Sequence, residues 1–160
     1  MPRLLAGFYQ RYQLQPTRQY IETGTYMGDG VFEMVYAPRA KHEHVHSIEL
    51  SERWYHYNVG QFKKFPNVSI HLGDSATVLP ALLDEIQEPV TVFLDGHFSG
   101  ANTAHGSEET PLLRELDILK RRPFNDIIII DDTRMLGKKG TSGGDSMYPE
   151  LMESTGPTLL

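Results

Sequence analysis

The sequence predicts an α/β protein built on a doubly wound parallel sheet, and three observations predict it. Short apolar runs alternate with longer amphipathic stretches five times along the chain. Runs such as VTVFL and DIIII are almost continuously apolar, as strands covered on both faces are. At 160 residues the chain is the size of one domain, with neither repeats nor low-complexity tracts to suggest another architecture.

The elements follow in order. Arg18–Glu22 reads as a first strand running into the glycine-bearing turn Thr23–Gly30. A helix is expected over Val31–Ala37, closed by Pro38. His44–Glu49 reads as the second strand, and Ser51–Phe65 as a helix with Ser51 at its N-cap and Glu52 in the first turn. Val68–Leu72 is a third strand, followed by a helix from Ser75 to about Ile86. Val90–Leu94 is a fourth, and a polar loop covers Gly96–Glu109. Pro111 opens the next helix, to Lys120, because its missing N–H matters least in a first turn. Asp126–Ile130 is the fifth strand, and from Gly137 the chain reads as a flexible loop with at most one short helix. One domain spans residues 1–160, with its core at about 18–136 and a tail over 137–160.

Composition narrows the function. Fifteen Lys and Arg against 21 Asp and Glu give a net charge of −6, which argues against a broad grip on nucleic acid or an anionic membrane. Without cysteine there is no disulfide scaffold, thiolate zinc site or cysteine nucleophile. No apolar run approaches the ~20 residues of a membrane span, and MPRLLAGFYQRYQ lacks the apolar core of a signal peptide. The expected location is the cytoplasm.

In a doubly wound sheet ligands bind outside the carboxyl ends of the strands, so the residues just after each strand carry the information. Here they are Glu22 to Gly30, Glu49-Leu50, Gly73-Asp74-Ser75, Asp95-Gly96-His97 and Asp131-Asp132. Every strand ends in an acid or reaches one within two positions, a pattern no core requires and one that repels itself unless something offsets it. Gly24, Gly28 and Gly30 let the backbone approach a ligand. Their spacing does not fit the Gly-x-Gly-x-x-Gly turn of a dehydrogenase. An acid at the second strand end can accept both hydroxyls of a ribose, and Glu22 is better suited to a cationic amino-acid group than to a pyrophosphate. The bland alternative is an ordinary turn with incidental acids, strand-end aspartates serving as helix N-caps.

The segment IETGTYMGDG resembles motif I of class I S-adenosylmethionine-dependent methyltransferases, in the form used by small-molecule O-methyltransferases of the catechol type. HSIELSERW resembles their second motif, HLGDSATVLPAL the third, TVFLDGHF the fourth and IIIIDDTRML the fifth, in register from Tyr20 to Leu136. FLDGHFSG with TPLLREL is similar to a bacterial subgroup of uncharacterised or polysaccharide-associated members. The resemblance implies a Rossmann-like fold and a set of roles. Glu22 with Gly24, Thr25, Tyr26 and Gly28 would face the methionine part of the cofactor. Glu49 would hold the ribose, Leu50 would pack beside the adenine, and Asp74 and Ser75 would sit at the adenine end of the cofactor. Asp95 would lie near the methyl group.

In the metal-dependent members three ligands come from the ends of the fourth and fifth strands, matching Asp95, Asp131 and Asp132, with Asp132 where Asn is frequent. An oxygen-only set suits Mg²⁺. His97 is the general-base candidate, since its unperturbed pKa is near neutrality and the lysine of the catechol-type enzymes has no counterpart close by. The expected acceptor is a hydroxyl of a small molecule or sugar, deprotonated for in-line displacement at the sulfonium methyl. A domain that keeps the fold without catalysis is the alternative.

Other features read as structural. His42, His44 and His46 alternate at strand spacing and suggest a partly exposed face rather than zinc. Arg121-Arg122 and Lys138-Lys139 read as solvated surface, His105 and Glu108 as loop, and Trp54 with Tyr57 as packing. The family's sheet ends in an antiparallel hairpin, and the 24 residues after Leu136 offer no convincing pair of strands. That predicts loss of part of the hairpin and an exposed DIIII edge, which favours a homodimer or a wrapped tail.

Overall fold

A computed structural model describes residues 9, 11–36, 42–95 and 111–131. Five strands form one parallel sheet: β1 (Gln19–Thr23), β2 (His44–Glu49), β3 (Val68–Leu72), β4 (Val90–Leu94) and β5 (Ile127–Ile130), in the order β3-β2-β1-β4-β5. Four helices alternate with them: α1 (Asp29–Tyr36), α2 (Glu52–Phe62), α3 (Ser75–Glu85) and α4 (Leu112–Lys120). The expected α/β architecture is present. The loop over Gly96–Glu109, the tail, the hairpin region, Lys138-Lys139, His105 and Glu108 lie outside the described residues.

Period-2 alternation sends each strand's side chains to two cores. Ile21, Ile48, Val90, Val92 and Leu94 meet Leu79, Leu82 and Leu83 of α3 and Leu112 and Leu119 of α4. On the opposite face Tyr20, Val45, Phe93 and Ile129 meet Val31 and Met34 of α1 and Phe62 of α2. Helices on both faces explain why β4 is buried along its whole length and reads as unbroken apolar sequence. Each such side chain contributes about 1.5–3 kcal/mol on burial.

Several expectations are corrected. Helix α1 begins at Asp29, two residues early, because Asp29 supplies first-turn negative charge and Gly30 is tolerated there for a packing reason given below. Ser51 is the N-cap of α2 but makes no side-chain capping bond, and the helix ends at Phe62 with Lys63 as C-cap. His42 does not share a face with His44 and His46. It is buried, its Nδ1–H donating to Thr17 O at 2.7 Å and its Nε2 accepting from the Tyr9 hydroxyl at 3.1 Å.

His46 is half-buried, stacked on His44, and paired with His71 of β3 at 3.1 Å. Because His46 Nε2–H donates to Gln19 Oε1, Nδ1 must accept from His71 Nε2–H. Arg122 is not a surface residue. It donates to Asp126 at 2.7 Å and to the carbonyls of Leu83, Ile86 and Glu88, closing the C-terminal end of α3. Arg121 beside it is exposed, as expected. Among the described residues no helix is long and apolar enough to cross a membrane.

Candidate functional site

Strand order reverses between β1 and β4, so the crevice of this sheet opens at their carboxyl ends. Continuing the register one step past the strands aligns Leu72, Glu49, Gly24, Asp95 and Asp131 in one row. Ladder bonds extend this far: Gly73 N–H donates to Glu49 O, Gly24 N–H to Ile48 O and Asp131 N–H to Leu94 O. Three of the five residues in the row are acids.

The turn between β1 and α1 rises from that row. Gly24, Tyr26 and Gly28 have positive φ of 87°, 47° and 84°. For tyrosine the left-handed region costs roughly 1–2 kcal/mol, so neighbours must hold it there. Three do so. Its N–H donates to Glu49 Oε2 at 2.7 Å, its carbonyl accepts from Asn58 Nδ2 at 2.7 Å, and its ring lies 4.7 Å from Trp54. Glu49 Oε1 accepts from Ser51 N–H at 2.8 Å, so one buried carboxylate ties the turn to the start of α2. Gly28 is required twice, since a Cβ there would run into Asn58 Oδ1 and lie 2.8 Å from Phe62 Cε2.

Beneath the turn is a closed polar chain. Glu22 is 1% exposed and accepts from the Ser47 hydroxyl at 2.8 Å and from the Tyr20 hydroxyl at 3.2 Å. Ser47 has one proton, given to Glu22, so Thr25 is the donor in the 2.6 Å Thr25–Ser47 contact. Gly30 is needed here because a Cβ would strike Glu22 Oε2. Glu22 thus lies inside the protein, bonded to side chains below the turn.

The remaining strand ends differ in what they do. Asp74 is the N-cap of α3, its Oδ1 accepting from Ala76 N–H at 2.9 Å. Ser75 beside it is buried, while Leu50 is half-buried. The backbone N–H of Asp95 donates to the Thr23 hydroxyl at 3.3 Å. Asp95 and Asp131 occupy adjacent row positions, and Asp132 and His97 lie outside the described residues. Among the described residues no three His, Asp or Glu side chains stand close enough together to hold a metal.

Two residues of the site escape a reading of strand ends. Asn58 sits on the buried side of α2, four residues from both Trp54 and Phe62, and is fully buried. Glu115 of α4 is 1% exposed between Leu112 and Leu119. Burial raises its carboxyl pKa above the usual range, with repulsion from Asp74 adding, against hydroxyls donated by Ser75 and Thr23. The signal for each was a polar residue on an apolar helical face. No family model matches the chain, and no curated protein matches it. The fold and its geometry define the class: a doubly wound α/β protein with three acids in register at the carboxyl ends of its strands.

Proposed function

We propose that the protein is an S-adenosylmethionine-dependent methyltransferase of the class I type, acting on a hydroxyl of a small molecule or sugar. Glu49 carries the reading. It is a buried carboxylate closing β2, next in register to Gly24 and one strand from the switch point. Ionised, it offers about four acceptor positions, of which the N–H groups of Tyr26 and Ser51 take two. Two remain, the number needed by the vicinal hydroxyls of a ribose. The left-handed turn supports the reading as well, because glycine at 24 and 28 leaves the main chain open to close approach. Asp74, Ser75 and Leu50 would border the adenine, with Asp74 keeping its capping role.

Bound in that crevice, S-adenosylmethionine supplies an electrophilic methyl, and the protein's own task is to orient the acceptor oxygen and remove its proton. Asp95 and Asp131 fit a hard cation in kind, being two oxygen donors on adjacent strand ends, and Asp132 follows directly in sequence. With Mg²⁺ held there, the acceptor hydroxyl would have a lowered pKa. His97, two residues beyond Asp95, is the proposed base. Calorimetric titration with S-adenosylhomocysteine, with and without Mg²⁺, tests the reading. Micromolar binding that falls at least about tenfold in Glu49→Gln, measured where both proteins are folded, is expected. Failure of the parent protein to bind in either condition would overturn it.

A further inference from the structure

We propose that His46 and His71 form a two-nitrogen site for a divalent transition-metal ion that favours imidazole, Zn²⁺ or Cu²⁺, joining β2 to the edge strand β3. The site does not rest on the proposed methyltransferase activity. Its two histidines come from different strands, and the register that sets His46 beside Ser69 and Ile48 beside His71 places both rings on one face of the sheet. His46 Nδ1 and His71 Nε2 stand 3.1 Å apart. Two nitrogens on one tetrahedral Zn²⁺, each at about 2.0–2.1 Å, stand about 3.3 Å apart, so the pair is already close to ligand spacing. A turn of each ring by roughly 35° brings both lone pairs onto the ion. His71 then carries its proton on Nδ1 in place of Nε2, and neither ring changes charge.

What marks the pair as more than a hydrogen bond is how His46 is oriented. Its Nε2–H donates to Gln19 Oε1 at 3.3 Å, and the amide nitrogen of Gln19 donates to Glu88 Oε1 at 2.9 Å. Glu88 accepts from Arg18 through its other oxygen at 3.1 Å. An ionised carboxylate can only accept, so Gln19 must give its NH₂ to Glu88 and its carbonyl to His46. That fixes the His46 tautomer, with Nδ1 unprotonated and its lone pair toward His71. Metal-ligating histidines are held in the same way, the second N–H given to an acceptor that orients the ring and raises its basicity. Both rings are half-buried, which leaves them open to an ion from solvent. This is not the triad spaced along β2 in sequence, because His42 is turned away to Thr17 and Tyr9. Among the described residues no third His, Asp or Glu completes the set, so water fills the remaining positions.

The experiment adds ZnCl₂ to the full chain at about pH 7.5, where an ordinary imidazole is neutral, and follows each histidine ring by ¹⁵N NMR. The His46 Nδ1 and His71 Nε2 resonances should shift together and return on addition of EDTA, while exposed His56 does not respond. Calorimetry should show Kd raised at least about tenfold in His71→Gln, whose amide can still donate to His46 Nδ1, and in Gln19→Leu, which removes the orienting acceptor. Urea unfolding in EDTA establishes that each variant folds, and in the parent zinc should raise the midpoint. If the His46 and His71 ring nitrogens of the parent do not respond to zinc, the proposal is overturned, whether or not the ion binds elsewhere on the chain. A folded His71→Gln or Gln19→Leu protein that binds zinc like the parent overturns it as well.

Discussion

Replacing Glu49 by glutamine tests how the turn and the second strand are held together. The carboxylate accepts from Tyr26 N–H at 2.7 Å and from Ser51 N–H at 2.8 Å, one on each oxygen. Glutamine keeps one acceptor and presents an NH₂ group to the other donor, so one buried N–H loses its partner. An unsatisfied buried donor costs about 1–3 kcal/mol, and the surviving bond loses its charge assistance as well. Relaxation of Tyr26 from its φ of 47° returns up to roughly 1–2 kcal/mol. The net expectation is a loss of about 2 kcal/mol, which moves the urea midpoint down by roughly 1 M for a typical slope. Hydrogen exchange at the Tyr26 amide should accelerate by more than the global loss of stability accounts for. A midpoint within about 0.2 M of the parent, with Tyr26 still protected, would refute the assignment of Glu49 as the tie between turn and helix.

Three further outcomes follow from the same contacts. Gly30→Ala should destabilise by about 1–3 kcal/mol because its Cβ meets Glu22 Oε2, whereas Gly60→Ala in α2, where a Cβ meets nothing within 4 Å, should stabilise by about 0.5–1 kcal/mol; thermal unfolding of the pair should show opposite signs. Arg122→Met should cost about 3–5 kcal/mol, read by denaturant unfolding, since it strands Asp126 and three carbonyls, and Arg122→Lys should recover little because an ammonium cannot span that fork. Burial, then the charges of His71 and His44, lower the His46 pKa to about 4. The unfolded chain therefore binds a proton between pH 6.5 and 4 that the folded one refuses, so stability falls as pH drops through that window and is unaffected above it. Allowing for solvent around the half-buried ring, the loss is on the order of 1–2 kcal/mol, and His46→Gln should make that limb of the urea-midpoint profile shallower.

Much of the fold was legible because local pattern and tertiary environment agree here. VTVFL reads as a doubly covered strand and β4 is buried throughout, whereas DIIII reads the same way but β5, at the sheet edge, is half-buried at three of its four residues. Asp74 could be read two ways, as a cofactor neighbour or a helix cap, and it caps α3. The glycine turn announced itself through Gly24 and Gly28, but nothing in its composition marked Tyr26 as the third left-handed residue. That conformation is imposed from outside the turn, by Glu49, Asn58 and Trp54.

The amino-acid order by itself determined which segments are strands and helices, and which acids gather beyond the strand ends, because periodicity and strand direction are local properties. Tertiary structure alone decided what each polar side chain does. Arg122 and Arg121 are adjacent and alike in sequence, yet one closes a buried helix end and the other faces solvent. Asn58 entered the site only when packing brought α2 against the turn. A charge or an amide acquires its role from the partners that burial leaves it, and those partners lie 32 residues away for Asn58 and Tyr26 and 72 for Asp95 and Thr23.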